Sequence, residues 1–471
     1  MKFSSEFEKN VSEIRSRLPL EKSFDILERN ITIHNKKAYL IFLDGLTKDD
    51  ALRSLMKSIY FLKEDVFKNL KTSKDFIEKV IPNIEVAEET DFDKIITSLL
   101  CGQTIMLIEG YNSAIVLDIR TYPARGPEEP DKEKVLRGAR DGFVETIVFN
   151  TALIRRRIRD TNLTFEMTTI GSSSKTDVAI AYMSNLVNKK ALSTLKKRLN
   201  SLEVDALTMG DESLVESLNS NSWFNPFPKV RYTERPDVTA AHILEGKIIL
   251  LVDNNPTAML IPTCIFDFFE NIEDYYFPFL TGNYLRIIRN FIFIAQIFIT
   301  PCYLLLVQYE NMLPTSMRFL LPSTSYTVPI IFQFLLLELG IDGLKLASLN
   351  TPSSLGMSLS VIGALLLGEY TVNTGWLIPE TILYMSIVAL ASFTQPSIEL
   401  SYAIKFLRLM ILIFTSIFHI WGFIIGIILS IIIIASTKTL TGESYLYPLI
   451  PFDGPALRKL LFRSRIKSNK S

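Results

Sequence analysis

The ionisable residues with the most suggestive spacing sit in an apolar setting. Glu338, Asp342 and Lys345 follow one another at intervals of four and three residues within 327–349, a stretch whose first half is apolar. On a helix that spacing places all three on one stripe. Ionisable side chains at membrane depth are costly and usually face a bundle interior or a water-filled path. Repeated around a symmetric oligomer, such a stripe would form rings of charge, one known way to select cations. The competing reading is an interfacial helix whose Asp342 and Lys345 pair at the headgroups. Glu399, Lys405 and Arg408 form a second candidate polar group, although Lys405 and Arg408 read equally well as side chains snorkelling to a surface. Glu380, just after Pro379, is either a helix N-terminal charge or part of a gate.

Other chemistries find little support. Cys101, Cys264 and Cys302 have no CxxC spacing, and His34, His242 and His419 are far apart in sequence without metal-ligand spacing, so neither disulfide stapling nor a metal site is expected. The phosphate-binding patterns GxxxxGK[ST] and GxGxxG do not occur. No nucleophile, base and oxyanion arrangement can be assembled, so the chain does not read as an enzyme, and no cofactor is expected. Fifty Lys and Arg balance fifty Asp and Glu, which removes any global electrostatic pull toward nucleic acid.

A local charge run remains. Arg155, Arg156, Arg157 and Arg159 close a block from 123 to 160 that opens with a proline loop at Pro123, Pro127 and Pro130. From Asp141 onward, Phe143, Ile147, Thr151, Ile154 and Ile158 recur at helical spacing, which predicts an amphipathic helix. Its arginines read as a solvated face, or as a subunit interface or headgroup contact carried by Arg155, Arg156 and Arg159. Nucleic acid is not expected, because no aromatic residues interleave the arginines.

The elements that must position these residues fall into two halves. The chain of 471 residues carries charge throughout its first 280 positions, then long apolar runs to 437. We expect an α+β membrane protein: an N-terminal cytoplasmic region of two α/β subdomains, followed by an α-helical transmembrane bundle. Residues 1–34 read as a polar helix or tail, 35–135 and 136–280 as the two subdomains, 281–437 as the helical membrane domain, and 438–471 as a basic cytoplasmic tail. In the first subdomain, 38–46 reads as a strand and turn, 48–70 as helical, and 104–108 with 114–119 as a hairpin. In the second, 177–182 reads as a strand, 185–200, 212–218 and 238–244 as helices, and Asn254-Asn255-Pro256 as a turn between two short strands.

The opening ten residues are polar, with no apolar h-region to act as a signal peptide, so the first half is expected on the cytoplasmic side. A span needs about 20 apolar residues. Residues 285–308 meet this, with Arg286 and Arg289 as cytoplasmic anchors. Residues 354–369 and 378–394 are shorter candidates, and 402–419 with 421–436 read as a tight hairpin or as one long helix with a re-entrant portion. The basic tail places the C-terminus in the cytoplasm by the positive-inside rule. Crossings are then even in number, four or six. Gly356, Ser360, Ala364 and Gly368 form a small-residue stripe, and Gly422 and Gly426, with Ser430, repeat it; both read as helix-packing surfaces.

Several of these residues carry a resemblance. The run Arg137, Gly138, Arg140, Asp141, Gly142, Phe143, Glu145, Asn150, Leu153, Arg155, Arg156, Arg157 and Ile158, then Thr233-Glu234-Arg235-Pro236-Asp237, then Glu273, Asp274, Tyr275, Leu285, Arg286 and Arg289, resembles the GerA family of bacterial spore germination proteins. The resemblance runs from about residue 35 to the end of the membrane half. It implies a multi-pass protein of the spore inner membrane, a homo-oligomer in contact with lipid and with other germination membrane proteins, acting as an ion-channel component. A secondary transporter is the chief rival, and would predict inverted repeats with broken helices. No such repeated pair is visible. A non-conducting scaffold for other germination proteins is the third reading.

Overall fold

The computed structural model describes the chain except residues 1–2, 5, 19, 21–25, 45, 84, 122–125, 131–132, 136, 220–224, 272, 351–362, 364–367, 369–370 and 463–471. It forms two compact units, Met1–Arg125 and Gly126–Ser471.

The first unit contains α1 (Phe7–Arg17), β1 (Ile26–Ile33), β2 (Lys36–Leu43), α2 (Asp49–Tyr60), α3 (Glu64–Lys68), α4 (Ser73–Val80), β3 (Val86–Glu89), α5 (Phe92–Leu100), β4 (Thr104–Ile108) and β5 (Ala114–Leu117). The strands build an antiparallel sheet in the order β1-β2-β4-β5-β3. Side chains alternate across a strand, so Leu40, Met106 and Ile115 meet Leu55, Ile59, Phe67 and Phe76 from α2 to α4. On the other face Tyr39, Ile41, Ile105 and Leu107 meet Val11 and Ile14 of α1 and Phe92, Ile95 and Leu99 of α5. Because both faces are covered, β4 and β5 are buried at every position. The first 34 residues, expected as a polar helix or tail, instead give this unit a helix and an edge strand. Val11 and Ile14, three residues apart, put α1 on the sheet.

The second unit opens with α6 (Ile147–Arg157), β6 (Leu163–Ile170), β7 (Thr176–Met183), α7 (Lys189–Asn200), α8 (Asp211–Leu218), β8 (Arg231–Thr233), α9 (Pro236–Leu244), β9 (Ile248–Val252) and β10 (Ala258–Ile261). Its sheet order is β6-β7-β9-β10-β8. Strand for strand this repeats the first sheet: a helix, a hairpin, a helical excursion, an edge strand, a helix, then a second hairpin. Here too one face meets the excursion helices, with Leu195 and Leu214 against Ile180 and Leu250. The other meets α6 and α9, with Ile154 and Ile243 against Ala181 and Leu251. The two α/β layers are thus a topological duplication.

Helices follow in the same unit: α10 (Glu273–Tyr276), α11 (Phe279–Gln308), α12 (Ile330–Asn350), α13 (Pro379–Phe393), α14 (Ile398–Ser436) and α15 (Gly454–Leu461). Among the described residues, α11 and α14 are long and apolar enough to cross a membrane, with mean hydropathies of 2.0 and 2.7, and α13 is a shorter apolar helix. α14 is not straight. His419 has φ 55 and ψ −131, outside helical geometry. A Cβ on Gly426 would lie 2.9 Å from Ile411 Cα, whereas fifteen residues of continuous helix would separate the two by about 22 Å. Residues 398–418 and 420–436 are therefore the arms of a hairpin, one of the two arrangements the sequence allowed.

Pairings fix the helix directions. Gln333 of α12 accepts from Thr381 of α13 at 2.9 Å, and Lys345 reaches Ser392 at 3.3 Å, so α12 and α13 run parallel. α11 is antiparallel to them, with Tyr303 beside Phe334 and Gln296 beside Glu338. The first arm of α14 follows α11: Arg408 meets Gln296, and Thr415 meets Gln308. The second arm returns. After it, the segment expected as the start of a basic tail is docked on the sheet: Leu440 joins its core, Tyr445 is fully buried with its hydroxyl donating to Pro228 O at 2.7 Å, and Ile265 N donates to Tyr445 O at 3.0 Å.

Candidate functional site: a buried ion network in the helical region

α12 brings Glu338, Asp342 and Lys345 to the interior of the helical region, and the first arm of α14 meets them with cations. Arg408 Nε donates to Glu338 Oε1 at 3.0 Å, and its Nη2 donates to the same oxygen. Lys405 pairs with Asp342 and lies 3.3 Å from Glu338 Oε2. Arg408 also donates to Gln296 O at 3.4 Å. Lys345 stands apart, over the rings of Phe393 and Tyr402 at 5.2 and 5.7 Å. The side chains of Glu338 and Arg408 are 7% and 5% exposed, against 30% for Asp342. The five ions line a cavity of about 20 Å³, room for about one water molecule.

This arrangement modifies the ring-of-charge expectation. Glu338 is neutralised within its own chain, and only Asp342 and Lys345 keep an edge that could face another copy. Lys405 and Arg408, readable from sequence as snorkelling residues, are the counter-ions. Glu399 stays outside, capped by Ser397 at 2.7 Å. Glu380 Oε1 accepts from the amide and hydroxyl of Ser323 at 2.9 and 2.6 Å, which ties the first turn of α13 to the loop that precedes α12.

One group escaped the sequence reading. Gln296, Thr300 and Tyr303 follow at intervals of four and three along α11, each about 1% exposed. Gln296 Nε2, Thr300 Oγ1 and the Tyr303 hydroxyl have no hydrogen-bond partner among the described residues, nor do Gln308 Oε1 and Glu380 Oε2. Buried polar groups are nearly always satisfied. A column of unsatisfied ones therefore leads from the ion network toward the far end of the helices. The signal was present, since polar residues at helical spacing interrupt an apolar run.

The arginine block divides. α6 begins only at Ile147: Phe143 N donates to Glu234 O at 2.8 Å, and the buried Asn150 side chain brackets Val144, which holds 141–146 in a loop. Arg155 donates to Leu163 O at 2.8 Å and covers Phe165, while Arg157 pairs with Asp141 at 2.6 Å. Arg156 and Arg159 remain exposed, as do Val148 and Phe149 at the start of α6. Of the three candidate interface arginines, Arg155 already serves its own fold.

The other motif residues converge nearby. Arg235, 1% exposed, grips Asp237 through Nε and Nη2 at 3.1 and 2.8 Å and donates to Glu133 O and Ala139 O. Gly138 (φ 121) lies against the Tyr276 ring, where a Cβ would come within 2.4 Å. Arg286 and Arg289, expected as cytoplasmic anchors of the first span, both turn to the fully buried Asp274. Below them, burial beyond all else drives the Cys264 thiol far above its ordinary range, with the nearby Asp267 carboxylate adding to it. Such a shift keeps the thiol protonated and disfavours nucleophilic chemistry there.

Among the small residues, Gly356, Ser360 and Ala364 lie outside the described residues, and a Cβ on Gly368 would have no neighbour within 4 Å. Gly422 and Gly426 lie where the arms of α14 cross, with a Cβ on Gly422 falling 1.8 Å from Phe414 O. Backbone cannot swing aside as a side chain can. Gly422→Ala should therefore destabilise the chain by about 3 kcal/mol, the upper range for overpacking. An unchanged melting temperature in detergent would mean that the arms do not close as described.

These features define an α+β protein with helices apolar enough to cross a membrane and a charged network buried among them. The chain belongs to the GerA family: the family model described as Bacillus/Clostridium GerA spore germination protein matches residues 13–471. Stage V sporulation protein AF of Bacillus subtilis (strain 168) is 40% identical over 459 residues, 97% of this chain and 92% of that protein. Spore germination protein KA of the same strain is 27% identical, over 97% of this chain and 84% of its own. A solved structure, the N-terminal domain of the A subunit of the Bacillus megaterium spore germinant receptor GerK3, aligns at 23% identity over 56% of this chain and 96% of its own, with a TM-score of 0.22. The chain accordingly has a role in spore germination.

Proposed function

We propose that the chain is a multi-pass subunit of the spore inner membrane that carries ions during germination, working as a homo-oligomer beside other germination membrane proteins. The observation that carries this reading is the ion network at the centre of an apolar helical region, continued by the unpartnered polar column of α11. Ionisable residues at membrane depth are costly and are by default candidates for an ion pathway. Phe291, Phe406, Ile417 and Ile431 are more than half exposed on the outer faces of α11 and α14, which suits contact with lipid.

Both ends of the helical region meet segments that flank the sheet: Arg289 donates to Phe269 O at 3.2 Å, and Asn225 donates to Thr437 Oγ1 at 2.7 Å. Passages are then even in number. α11 and the first arm of α14 run one way, while α12, α13 and the second arm run the other, which favours six crossings over four. The sheets and both termini lie on the cytoplasmic side, and Arg156 and Arg159 face a neighbouring subunit or anionic headgroups.

The test is Asp342→Asn in reconstituted vesicles. Asp342 is the most exposed member of the network's paired core, and Lys405 retains Glu338, so the fold should survive. We expect altered ion flux and cation selectivity. Unchanged flux and selectivity would exclude the network from the path, and saturable, substrate-dependent uptake would indicate a transporter instead.

A further inference from the structure

The molecule holds a second acidic site that the ion-carrying reading does not use. A cavity of about 540 Å³ opens between the edge strand β8, the first turn of α8 and the turn joining α13 to α14. Its volume falls within the roughly 300–1,000 Å³ of small-molecule sites. Glu133, Asp211, Glu212 and Glu399 line it. Each accepts a hydrogen bond from the protein: Thr233 at 2.6 Å on Glu133, Thr257 on Asp211, Tyr232 at 2.8 Å on Glu212, and Ser397 at 2.7 Å on Glu399. None of the four pairs with a Lys or Arg among the described residues. Arg231 also lines the cavity, but its guanidinium is turned into the wall, donating to Asp267 O at 2.6 Å and Glu270 O at 3.1 Å.

A cluster of acids alone would be only a solvated surface. Gln395 makes the difference. It is 8% exposed, lines the same cavity, and neither its Oε1 nor its Nε2 has a partner among the described residues. An amide buried with both ends unsatisfied costs free energy unless something hydrogen-bonds to it. Tyr232 adds an aromatic wall, and ring faces attract cations. Burial first, then Glu212, Asp211 and Glu399, drive the Tyr232 phenol well above its ordinary range, in keeping with carboxylates gathered about that ring.

We infer that this cavity binds a small organic cation, an ammonium or guanidinium compound whose charge sits among Glu212, Glu399 and the Tyr232 ring and whose polar hydrogens reach Gln395. A metal ion fits less well, since among the described residues no three His, Cys, Asp or Glu side chains come close enough to hold one. The occupant would bridge the sheet and the start of α14. Lys405 and Arg408 of the ion network lie within the next three turns of that helix, so occupancy is placed to bias it.

The experiment is calorimetric titration of the full chain in an uncharged detergent with spermidine and with agmatine, and in parallel with calcium chloride. Saturable binding of at least one organic cation is expected. It should weaken about tenfold or more in Glu212→Gln/Glu399→Gln, the scale of a lost charge-assisted contact, and weaken also in Gln395→Leu, with melting temperatures unchanged. Absence of saturable binding overturns the assignment. So does binding that survives both variants, which would report acidic surface elsewhere, and so does calcium binding that displaces both organic cations.

Discussion

Glu338→Ala should lower the stability of the chain in detergent by about 3–5 kcal/mol, the cost of breaking a buried ion pair from one side. The loss comes from what is left behind. Among the described residues, Arg408 would retain the contact to Gln296 O at 3.4 Å, with its side chain 5% exposed. Arginine cannot lose its proton to escape the cost. Lys405 would keep Asp342, so the damage centres on Arg408. Removing both charges in Glu338→Ala/Arg408→Leu should recover most of the stability, because no uncompensated ion remains. Asp342→Asn should cost only about 1 kcal/mol, since that carboxylate is 30% exposed and partly exposed pairs contribute little. Thermal melting of wild type, Glu338→Ala, Arg408→Leu and Glu338→Ala/Arg408→Leu forms a double-mutant cycle. Strictly additive losses would show that Glu338 and Arg408 are not coupled. The same series separates stability from conduction, because flux through the double variant can be measured on a folded protein.

The sequence carried the central strands and the charged stripe, and it did so for a physical reason. Strands covered on both faces are continuous apolar runs, so β2, β4, β5 and β7 stood out. The edge strands did not: β1 and β6 mix polar with apolar residues, and β3 and β8 span four and three residues. Without them the shared strand order of the two sheets was invisible, and each unit read only as a generic α/β module. In the site, the spacing of Glu338, Asp342 and Lys345 was legible because it is local. Their counter-ions lie 63 to 70 positions away, and no local pattern reports such a pairing. The arginine block shows the converse. Its local period predicted a helix from Asp141, but tertiary hydrogen bonds from Glu234 and Asn150 hold the first turn open. Two of its arginines face inward tasks that charge patterning alone assigns to solvent.

Asp274→Ala should be at least as damaging as Glu338→Ala, about 3–5 kcal/mol, because one buried carboxylate compensates two guanidiniums. Arg289 forks onto it with Nη1–Oδ2 at 2.8 Å and Nη2–Oδ1 at 2.9 Å, and Arg286 Nε lies 3.5 Å from Oδ2. Asp274 is fully buried, Arg286 is 2% exposed and Arg289 11%, so both cations are poorly solvated when the acid is removed. The two arginines stand on the first turns of α11, and Asp274 belongs to α10, which follows the sheet. The triad thus joins the sheet to the first helix long enough to span a membrane. If Arg286 and Arg289 were instead anchors at lipid headgroups, Asp274→Ala would be nearly silent and lysine would serve at 289 as well as arginine. A two-bond fork is beyond lysine's single ammonium. Arg289→Lys should therefore cost about 1.5–3 kcal/mol, the scale of one charge-assisted hydrogen bond. Melting in detergent, with limited proteolysis between β10 and α11 as a second readout, distinguishes the two. Faster cleavage in Asp274→Ala with wild-type flux per folded molecule would assign the triad to the joint between sheet and helices. Cleavage and melting both unchanged would return the arginines to the lipid surface.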